Sequence, residues 1–512
     1  METTLTDPRL SAVGSLRRRG AALLGAGWLP WAILVFGVGL RLIQYLSNRS
    51  LWVDEAMLVR NILDRSYGEL LQPLSDNQGA PIGFLVATKA LTQAFGDGEF
   101  VLRLLPLVGG IASLILFHVL LKRYIPTPVR LIPLFLFAIN LPLIYYSSEA
   151  KQYATDLTIT LILVLAALWI HDHPLTIGRA LLFGGLGALA MWCSHPASFT
   201  LAGIGLVMGI SALARRDRAR VRGLALVGAL WGASFVVLYT LSLRHLETSD
   251  YLQTYFRANF MPSPLNSEGW QWLLRNFRLM FDNPQGLQIN DVAALLFVVG
   301  AVTLYRRRPT EPGLFVAPIL VTLGASWLGK YPFGGRLFLF ALPLLLVLVG
   351  EGLRAVVERT RQTLPVLSVA LIGFLLLNPL VEATTRVTFY PQEIKPVLEY
   401  ISQHRLGGDR VYVYYFAQFA YDYYAPRYSL SNANTLVGRT WVDNIWLDPS
   451  VEPHTNFSAE LDRLRGSTYV WVIFTNANSD EQRYTRYLDG IGRQVDSVRA
   501  PGASGYLYNL GG

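Results

Sequence analysis

The chain has 512 residues, of which 52% are hydrophobic and 15% are charged, well below the roughly 25% charged residues usual in soluble domains. The net charge of +9 could suit nucleic acid, but the basic residues form short runs between hydrophobic blocks, which is the pattern of membrane topology. The single cysteine, Cys193, excludes a disulfide framework and a thiolate metal site.

Hydrophobic blocks follow one another along the first three quarters of the chain. A spanning helix needs about 20 apolar residues, because that length covers the hydrocarbon and satisfies its own backbone hydrogen bonds. Blocks of this kind occupy residues 21–40, 104–121, 131–148, 196–214, 223–243, 312–329 and 364–381. Shorter blocks occupy residues 157–170, 180–194, 292–305 and 337–350, and reach spanning length if their polar ends extend to the interface. The sequence predicts a polytopic α-helical membrane protein with about eleven spans and no cleaved signal.

Basic runs occur at every second junction between these blocks, as the positive-inside rule requires. They lie at residues 17–19, 122–130, 215–222, 306–308 and 354–361. We therefore expect a cytoplasmic N-terminus and, after an odd number of spans, an external C-terminal part beginning near residue 383. The outer loops are then residues 47–99, 145–153, 195–196, 244–290 and 329–336. The polar residues cluster in these loops, whereas few charges lie in mid-span.

Residues 383–512 differ in pattern from residues 1–382. Helical spacing at 393–404, 418–424 and 480–491 alternates with strand patterns at 409–415, 468–475, 494–498 and 505–508. This alternation predicts a small extracytoplasmic α/β domain. It has no Gly-rich phosphate loop and no tight His/Asp cluster, so we expect it to shape acceptor access rather than to carry the chemistry.

Six polar segments of the outer loops occur in a characteristic order. They are Leu51-Trp-Val-Asp-Glu-Ala-Met57, Asn77-Gln-Gly-Ala-Pro-Ile-Gly-Phe84, Glu99-Phe-Val-Leu-Arg-Leu-Leu-Pro106, Ser148-Glu-Ala-Lys-Gln-Tyr153, His195-Pro196 and Lys330-Tyr-Pro-Phe-Gly-Gly-Arg336. No single segment is specific, but the ordered set resembles the GT-C glycosyltransferases. The nearest likeness is to protein O-mannosyltransferases, the lipid A aminoarabinose transferase and their bacterial relatives. The resemblance covers most of the chain, including the tail.

The resemblance implies an enzyme of the bacterial inner membrane that serves the cell envelope. Such a hexosyl- or pentosyltransferase moves a sugar, with inversion, from a polyprenyl-phosphate donor to an extracytoplasmic lipid, glycan or protein. The chemistry needs a carboxylate to take the acceptor proton and fixed cations for the departing phosphate. A donor flipped from inside needs no nucleotide outside, which agrees with the missing nucleotide loop.

Each predicted role falls on a residue of the outer loops. Asp54 and Glu55 are the catalytic candidates, Lys330, Arg336, Lys151 and Arg257 are expected to bind the donor phosphate, and Gln78, Glu149, Tyr153, His195 and Tyr331 are expected to bind substrate. Many relatives carry Lys or His near Gln78, and Lys151 replaces their common Arg, which keeps the charge but loses bidentate geometry. Some relatives hold a metal near the first-loop acids. The sequence names no certain cofactor and leaves open whether a divalent metal binds near Asp54.

Structural interpretations of the same residues stay open. Asp54 could cap the helix that begins beside it, and His195 could be an ordinary helix-end histidine. Glu149 could form a structural ion pair, and Lys330 and Arg336 could anchor their spans at the interface. Two other functions also remain: a flippase or polymerase of lipid-linked saccharides, and a membrane scaffold without enzymatic activity. Convergence of Asp54 and the late-loop cations on one outer cavity would favour the transferase.

Overall fold

The computed structural model describes residues 27–282, 290–360, 362–386, 388–430, 434–440 and 457–511. Its helices up to the last long apolar one are α1 Leu29–Leu46, α2 Val53–Asp64, α3 Ile82–Phe95, α4 Glu99–Leu102, α5 Leu104–Tyr124, α6 Leu131–Ile139, α7 Leu141–Tyr146, α8 Tyr153–Asp172, α9 Ile177–Cys193, α10 Ala197–Ala214, α11 Arg218–Leu238, α12 Arg244–Glu247, α13 Asp250–Tyr255, α14 Ser267–Leu279, α15 Asn290–Arg307, α16 Glu311–Trp327, α17 Leu342–Thr360 and α18 Pro365–Thr385. Short 3-10 turns, Arg257–Asn259 and Gly335–Ala341 among them, join some of these helices.

The described residues contain seven helical segments long and apolar enough to cross a membrane. They are Leu29–Leu46, Leu104–Tyr124, Tyr153–Asp172, Ala197–Ala214, Arg218–Glu247, Gly335–Thr360 and Pro365–Thr385. The other predicted blocks are also helical. Two of them lie in helices of 17 residues, α9 and α16, and a third lies in α15, which has charged ends. The polytopic helical fold is confirmed, and the count of about eleven crossings stays a prediction.

The predicted block at residues 131–148 contains a break that its hydropathy did not indicate. Asn140 leaves the helical conformation between α6 and α7, and its side chain accepts a hydrogen bond from the backbone N–H of Leu143. Pro142 follows in the first turn of α7, where a missing N–H costs nothing. The sequence therefore caps a new helix in the middle of an apolar run.

Small residues bring the long helices close together. A Cβ atom on Gly300 of α15 would lie 1.8 Å from the Leu348 carbonyl oxygen of α17, and one on Gly352 would lie 2.0 Å from the Leu296 oxygen. Only glycine permits this backbone approach, as is usual where membrane helices pack without a hydrophobic driving force. These glycines therefore allow α15 and α17 to pack with their backbones in contact.

The C-terminal part is a mixed five-stranded sheet with helices packed against it. It contains α19 Ile394–His404, α20 Gln418–Tyr424, α21 Phe457–Asp462 and α22 Asp480–Ile491, with strands β1 Arg410–Val413, β2 Asn434–Val437, β3 Val470–Thr475, β4 Arg493–Ala500 and β5 Ala503–Asn509. The strand order is β2-β1-β3-β5-β4. Strands β2, β1 and β3 run parallel, and β5 pairs antiparallel with both β3 and β4. The predicted α/β domain is confirmed, with β2 as a strand that the sequence pattern did not show.

This domain packs directly on the first outer loop. Leu51, Val53 and Val59 share one buried apolar cluster with the tail. The Glu393 carboxylate accepts hydrogen bonds from the backbone N–H and the hydroxyl of Ser50, each at 3.0 Å. The start of α2 is therefore held between the helical bundle and the tail.

Candidate active site

A cavity of about 740 Å³ opens where the first outer loop, the starts of α8 and α10, the 239–260 segment, the 330–336 loop and the tail meet. Eight of the predicted site residues line it: Asp54, Gln78, Lys151, Tyr153, His195, Lys330, Tyr331 and Arg336. They come from five separate parts of the sequence. The chain therefore brings the acid of the first loop and the cations of the late loop to one place.

Asp54 lies in the first turn of α2 and faces three side chains across the cavity. Its Oδ2 atom lies 2.5 Å from Arg336 Nη2, and its Oδ1 atom lies 3.5 Å from Lys151 Nζ. Gln78 Nε2 donates to Oδ1 at 3.3 Å, while Gln78 Oε1 accepts from Lys151 at 2.6 Å. Burial alone would raise the pKa of Asp54, but Arg336, Lys151 and Gln78 outweigh it and hold the pKa at about 2. The carboxylate is ionised and paired.

Arg336 reaches Asp54 from the turn that ends the 330–336 loop. Gly334 has φ 137° and Gly335 has φ 54°, which is backbone that L side chains rarely adopt. The guanidinium lies 5.6 Å from the ring centroid of Trp52 and 5.7 Å from that of Tyr153. Two aromatic faces thus support a cation whose planar fork suits bidentate binding of an oxyanion.

Lys330 stands at the rim of the same cavity in a different environment. Its ammonium group pairs with Glu247, and its side chain is 50% exposed, compared with 20% for Arg336. The other oxygen of Glu247 accepts a hydrogen bond from the hydroxyl of Tyr239 at 2.9 Å. Part of the Lys330 charge is therefore already neutralised. This pairing could not be predicted from the local sequence, because Glu247 lies 83 residues away along the chain.

Glu55, named with Asp54 as a catalytic candidate, is not among the residues that line the cavity. Successive residues of a helix point about 100° apart, so Glu55 faces the protein interior. It pairs with Arg49 at 2.7 Å and with Arg103 at 2.9 Å, and it accepts the backbone N–H of Ala150 at 2.8 Å. Burial opposes its ionisation, but Arg103 and Arg49 lower its pKa to about 2. Glu55 ties the first outer loop to the 148–153 segment.

Two further predicted residues lie outside the cavity lining. Glu149 is fully buried behind Trp52, whose indole N–H donates to it at 3.3 Å. Burial, followed by the nearby charge of Glu55, raises the pKa of Glu149 to about 7. Arg257 is exposed on the 3-10 turn Arg257–Asn259, although its neighbours Phe256 and Phe260 line the cavity. Neither residue occupies the binding position that the sequence predicted for it.

The cavity also contains residues that the sequence reasoning passed over. Asp156 of α8 lines it, as do Tyr255 and the tail residues Phe416, Asn476 and Asn478. An acid in the first turn of an apolar helix is a signal that could have been used, since ionisable groups beside a span are costly to bury and often mark functional sites. The tail residues could not be found in this way, because they reach the cavity only through domain packing.

Apolar side chains form one part of the cavity lining, and a neutral histidine belongs to another part. Phe235, Leu243 and Leu246 line the wall that continues α11. Burial lowers the pKa of His195 to about 4, so that its ring is uncharged at neutral pH. Across the described ranges, no group of three or more His, Cys, Asp and Glu side chains is placed to hold a metal ion.

No family model and no curated protein sequence matches the chain. Solved structures do. ArnT from Cupriavidus metallidurans in the apo state superposes with a TM-score of 0.52 at 12% identity, over 93% of this chain and 97% of that one. The Archaeoglobus fulgidus oligosaccharyltransferase in complex with Zn and sulfate gives 0.53 at 12% identity, over 93% and 72%.

The oligosaccharyltransferase AglB from the same archaeon, in complex with an inhibitory peptide and a dolichol-phosphate, gives a TM-score of 0.50 at 11% identity over 93% and 74% of the two chains. Both kinds of enzyme are GT-C glycosyltransferases. The chain has the GT-C fold. The fold expected from the ordered loop motifs is thereby confirmed, and in this GT-C fold the cavity that contains Asp54 lies between the helical bundle and the tail.

Proposed function

We propose that the chain is a glycosyltransferase of the bacterial inner membrane that moves one sugar from a polyprenyl phosphate to a hydroxyl group of an extracytoplasmic acceptor. The observation that carries the proposal is the meeting of Asp54, Arg336 and Lys151 in one cavity with an apolar wall. The GT-C fold supports it, as does the presence of dolichol-phosphate in the AglB complex.

The donor has a charged phosphate and an apolar prenyl chain, and the cavity offers a matching surface for each. Arg336 and Lys151 supply the fixed cations that a phosphodiester needs, and Arg336 can grip two oxygens at once. Phe235, Leu243 and Leu246 offer an apolar surface beside the phosphate. These three residues continue from a helix that is long and apolar enough to span the membrane. The prenyl chain would leave along this wall toward the lipid.

Asp54 is the proposed general base. The acceptor oxygen attacks the anomeric carbon, the bond from that carbon to the phosphate oxygen breaks, and the phosphate leaves with the electron pair. Asp54 takes the acceptor proton, while Arg336 and Lys151 stabilise the charge that develops on the phosphate. Attack opposite the phosphate inverts the anomeric configuration.

The resting pairing explains how a carboxylate with a pKa of about 2 can serve as a base. In the unliganded cavity, Arg336 and Lys151 stabilise the Asp54 charge and make it a poor proton acceptor. A donor phosphate competes for both cations, so each cation transfers part of its hydrogen bonding from Asp54 to the phosphate. The pKa of Asp54 then rises toward the range in which a carboxylate accepts a proton. Donor binding would thereby activate the base.

The test compares Asp54→Asn with Asp64→Asn, which alters the exposed end of the same helix. Lipid mass spectrometry of a deletion strain first identifies the polyprenyl-phosphate sugar that accumulates. With that donor, purified Asp54→Asn should transfer sugar about 10² to 10⁴ times more slowly than wild type, the usual cost of losing a general base. Asp64→Asn should behave as wild type. Near wild-type turnover in Asp54→Asn would remove the assignment, and a lipid-linked saccharide flippase would need no such base.

A further inference from the structure

One part of the cavity lining carries polar atoms that no part of the proposed chemistry uses. Asp156 Oδ1, His195 Nε2 and Ser198 Oγ are buried and have no hydrogen-bond partner within the described parts of the chain. All three residues line the cavity. The hydroxyl of Ser194, a fully buried side chain, faces the Asp156 carboxylate. We call Asp156, Ser194, His195 and Ser198 the inner polar cluster.

Burying polar atoms without hydrogen-bond partners costs free energy, and this cost indicates that a ligand binds beside them. Asp156 is 5% exposed and lies in the first turn of Tyr153–Asp172, a helix long and apolar enough to cross the membrane. Ionisable groups in such helices are rare and face functional cavities. The large majority of buried side-chain polar atoms in proteins have a hydrogen-bond partner, and an exception calls for an explanation. Three exceptions that line one cavity are explained together if a polar ligand completes their hydrogen bonds.

The cluster adjoins the phosphate-binding cations. Tyr153, whose ring supports Arg336, lies one helical turn before Asp156 on α8, so the two side chains share a face. Tyr331 connects the other side: its ring lies 4.8 Å from that of Phe199 and its hydroxyl donates to the Leu337 carbonyl at 3.0 Å. Tyr331 is also close enough to Asp156 for the two side chains to interact electrostatically. A group joined to a phosphate on Arg336 would therefore reach the cluster.

We propose that the inner polar cluster binds the hydroxyl groups of the donor sugar and so determines which polyprenyl-phosphate sugar the protein accepts. The inference rests on the proposed function and adds the substrate contact that selects the donor. The Asp156 carboxylate accepts hydrogen bonds from the ring hydroxyls, and the uncharged His195 and the serine hydroxyls complete the set. A cavity of about 740 Å³ falls within the range of small-molecule sites, which suits a single sugar ring with its phosphate.

Binding measurements with two kinds of probe separate the sugar contact from the phosphate contact. Purified full-length protein is titrated with bare polyprenyl phosphate and with a panel of polyprenyl-phosphate monosaccharides that differ in ring hydroxyl configuration. We expect one sugar to raise the affinity above that of the bare lipid phosphate. Asp156→Asn should lower the affinity for that donor about 10- to 100-fold, because it replaces an acceptor oxygen by a donor and leaves a buried sugar hydroxyl without its partner, and should leave binding of the bare lipid phosphate unchanged.

Two further variants keep the test decisive if Asp156→Asn folds poorly. Ser198→Ala should produce the same selective loss, only smaller. Thr158→Val should have no effect on binding of either probe, because Thr158 lies on the same helix but bonds only the Gly109 and Ala154 carbonyls. The inference would be overturned if each of Asp156→Asn and Ser198→Ala weakened binding of the bare lipid phosphate as much as binding of the donor. It would also be overturned if neither variant weakened binding of the donor. The proposed function would stand in both cases. A wild-type protein that binds no polyprenyl phosphate would overturn both.

Discussion

Arg336 and Lys330 lie six residues apart in one loop, and replacing each by glutamine should have very different consequences for donor binding. Arg336 is largely buried between two aromatic rings and paired with Asp54 at 2.5 Å. Lys330 is half exposed and already paired with Glu247. If the donor phosphate binds inside the cavity, Arg336→Gln removes a desolvated contact, whereas Lys330→Gln removes one at the rim.

The size of the difference follows from these environments. Truncating one member of a buried, hydrogen-bonded charge pair typically costs about 2 to 5 kcal/mol, which is a loss of affinity of about 30-fold to several thousand-fold. An exposed ion pair contributes about 0 to 1 kcal/mol, so Lys330→Gln should weaken binding no more than about fivefold. Arg336→Lys keeps the charge without the two parallel hydrogen bonds and should fall between these values.

The assay is calorimetric titration of purified protein with polyprenyl phosphate, at matched amounts of folded protein. Thermal unfolding of each variant shows whether the fold has survived, because Arg336→Gln also leaves Asp54 with Lys151 as its remaining cation. If both residues only anchor their spans at the interface, the two variants will show small and similar losses of yield with unchanged affinity. That result, or a larger effect of Lys330→Gln than of Arg336→Gln, would refute the placement of the phosphate.

Three other predictions concern the stability of the protein and its orientation in the membrane. Glu55→Gln should lower the free energy of unfolding by about 3 to 5 kcal/mol, because it leaves Arg49 and Arg103 buried without their anion; a thermal transition like that of wild type would contradict this. Glu149 has its pKa raised from 4.5 to about 7, so the folded protein keeps a proton that the unfolded chain releases, and stability should fall as the pH rises through this interval. Glu149→Gln should flatten that slope, and an unchanged slope would argue against it. A reporter fused after the C-terminus should be active only on the extracytoplasmic side of the membrane, and cytoplasmic activity would reverse the orientation inferred from the basic runs.

The hydrophobic pattern predicted the helical framework well, because the membrane leaves few alternatives for an apolar run of spanning length. It missed the break at Asn140, where one side-chain hydrogen bond and the following proline outweigh the hydropathy of the flanking residues. It also missed β2, whose four residues pair with β1 in the parallel part of the sheet. Short strands depend on their neighbours in space, which the local pattern does not contain.

Most of the candidate site could be predicted from the residue types and the order of the loops along the chain. Asp54 and Arg336 lie at corresponding ends of separate spans, so the expected topology alone places them on one surface. Pairing within that surface was not predictable in the same way. Glu247 neutralises part of Lys330, and Glu55 turns inward to two arginines. These outcomes depend on the helix phase and on contacts between distant loops, not on residue identity.

The tail has a larger part in this site than shaping access. It satisfies three backbone N–H groups at the start of α2: Glu393 accepts from Ser50, the Tyr424 hydroxyl accepts from Leu51, and Gln392 accepts from Val53, at 3.0, 2.9 and 3.1 Å. Val53 is the first residue of α2, and the first N–H groups of a helix have no partner within it, so the tail supplies the partner that the Val53 N–H lacks. The bonds from Ser50 and Leu51 hold the extended segment just before the helix. Asp54 follows directly after these residues. The C-terminal α/β domain therefore fixes the position of the carboxylate from one side, while Arg336 holds it from the other.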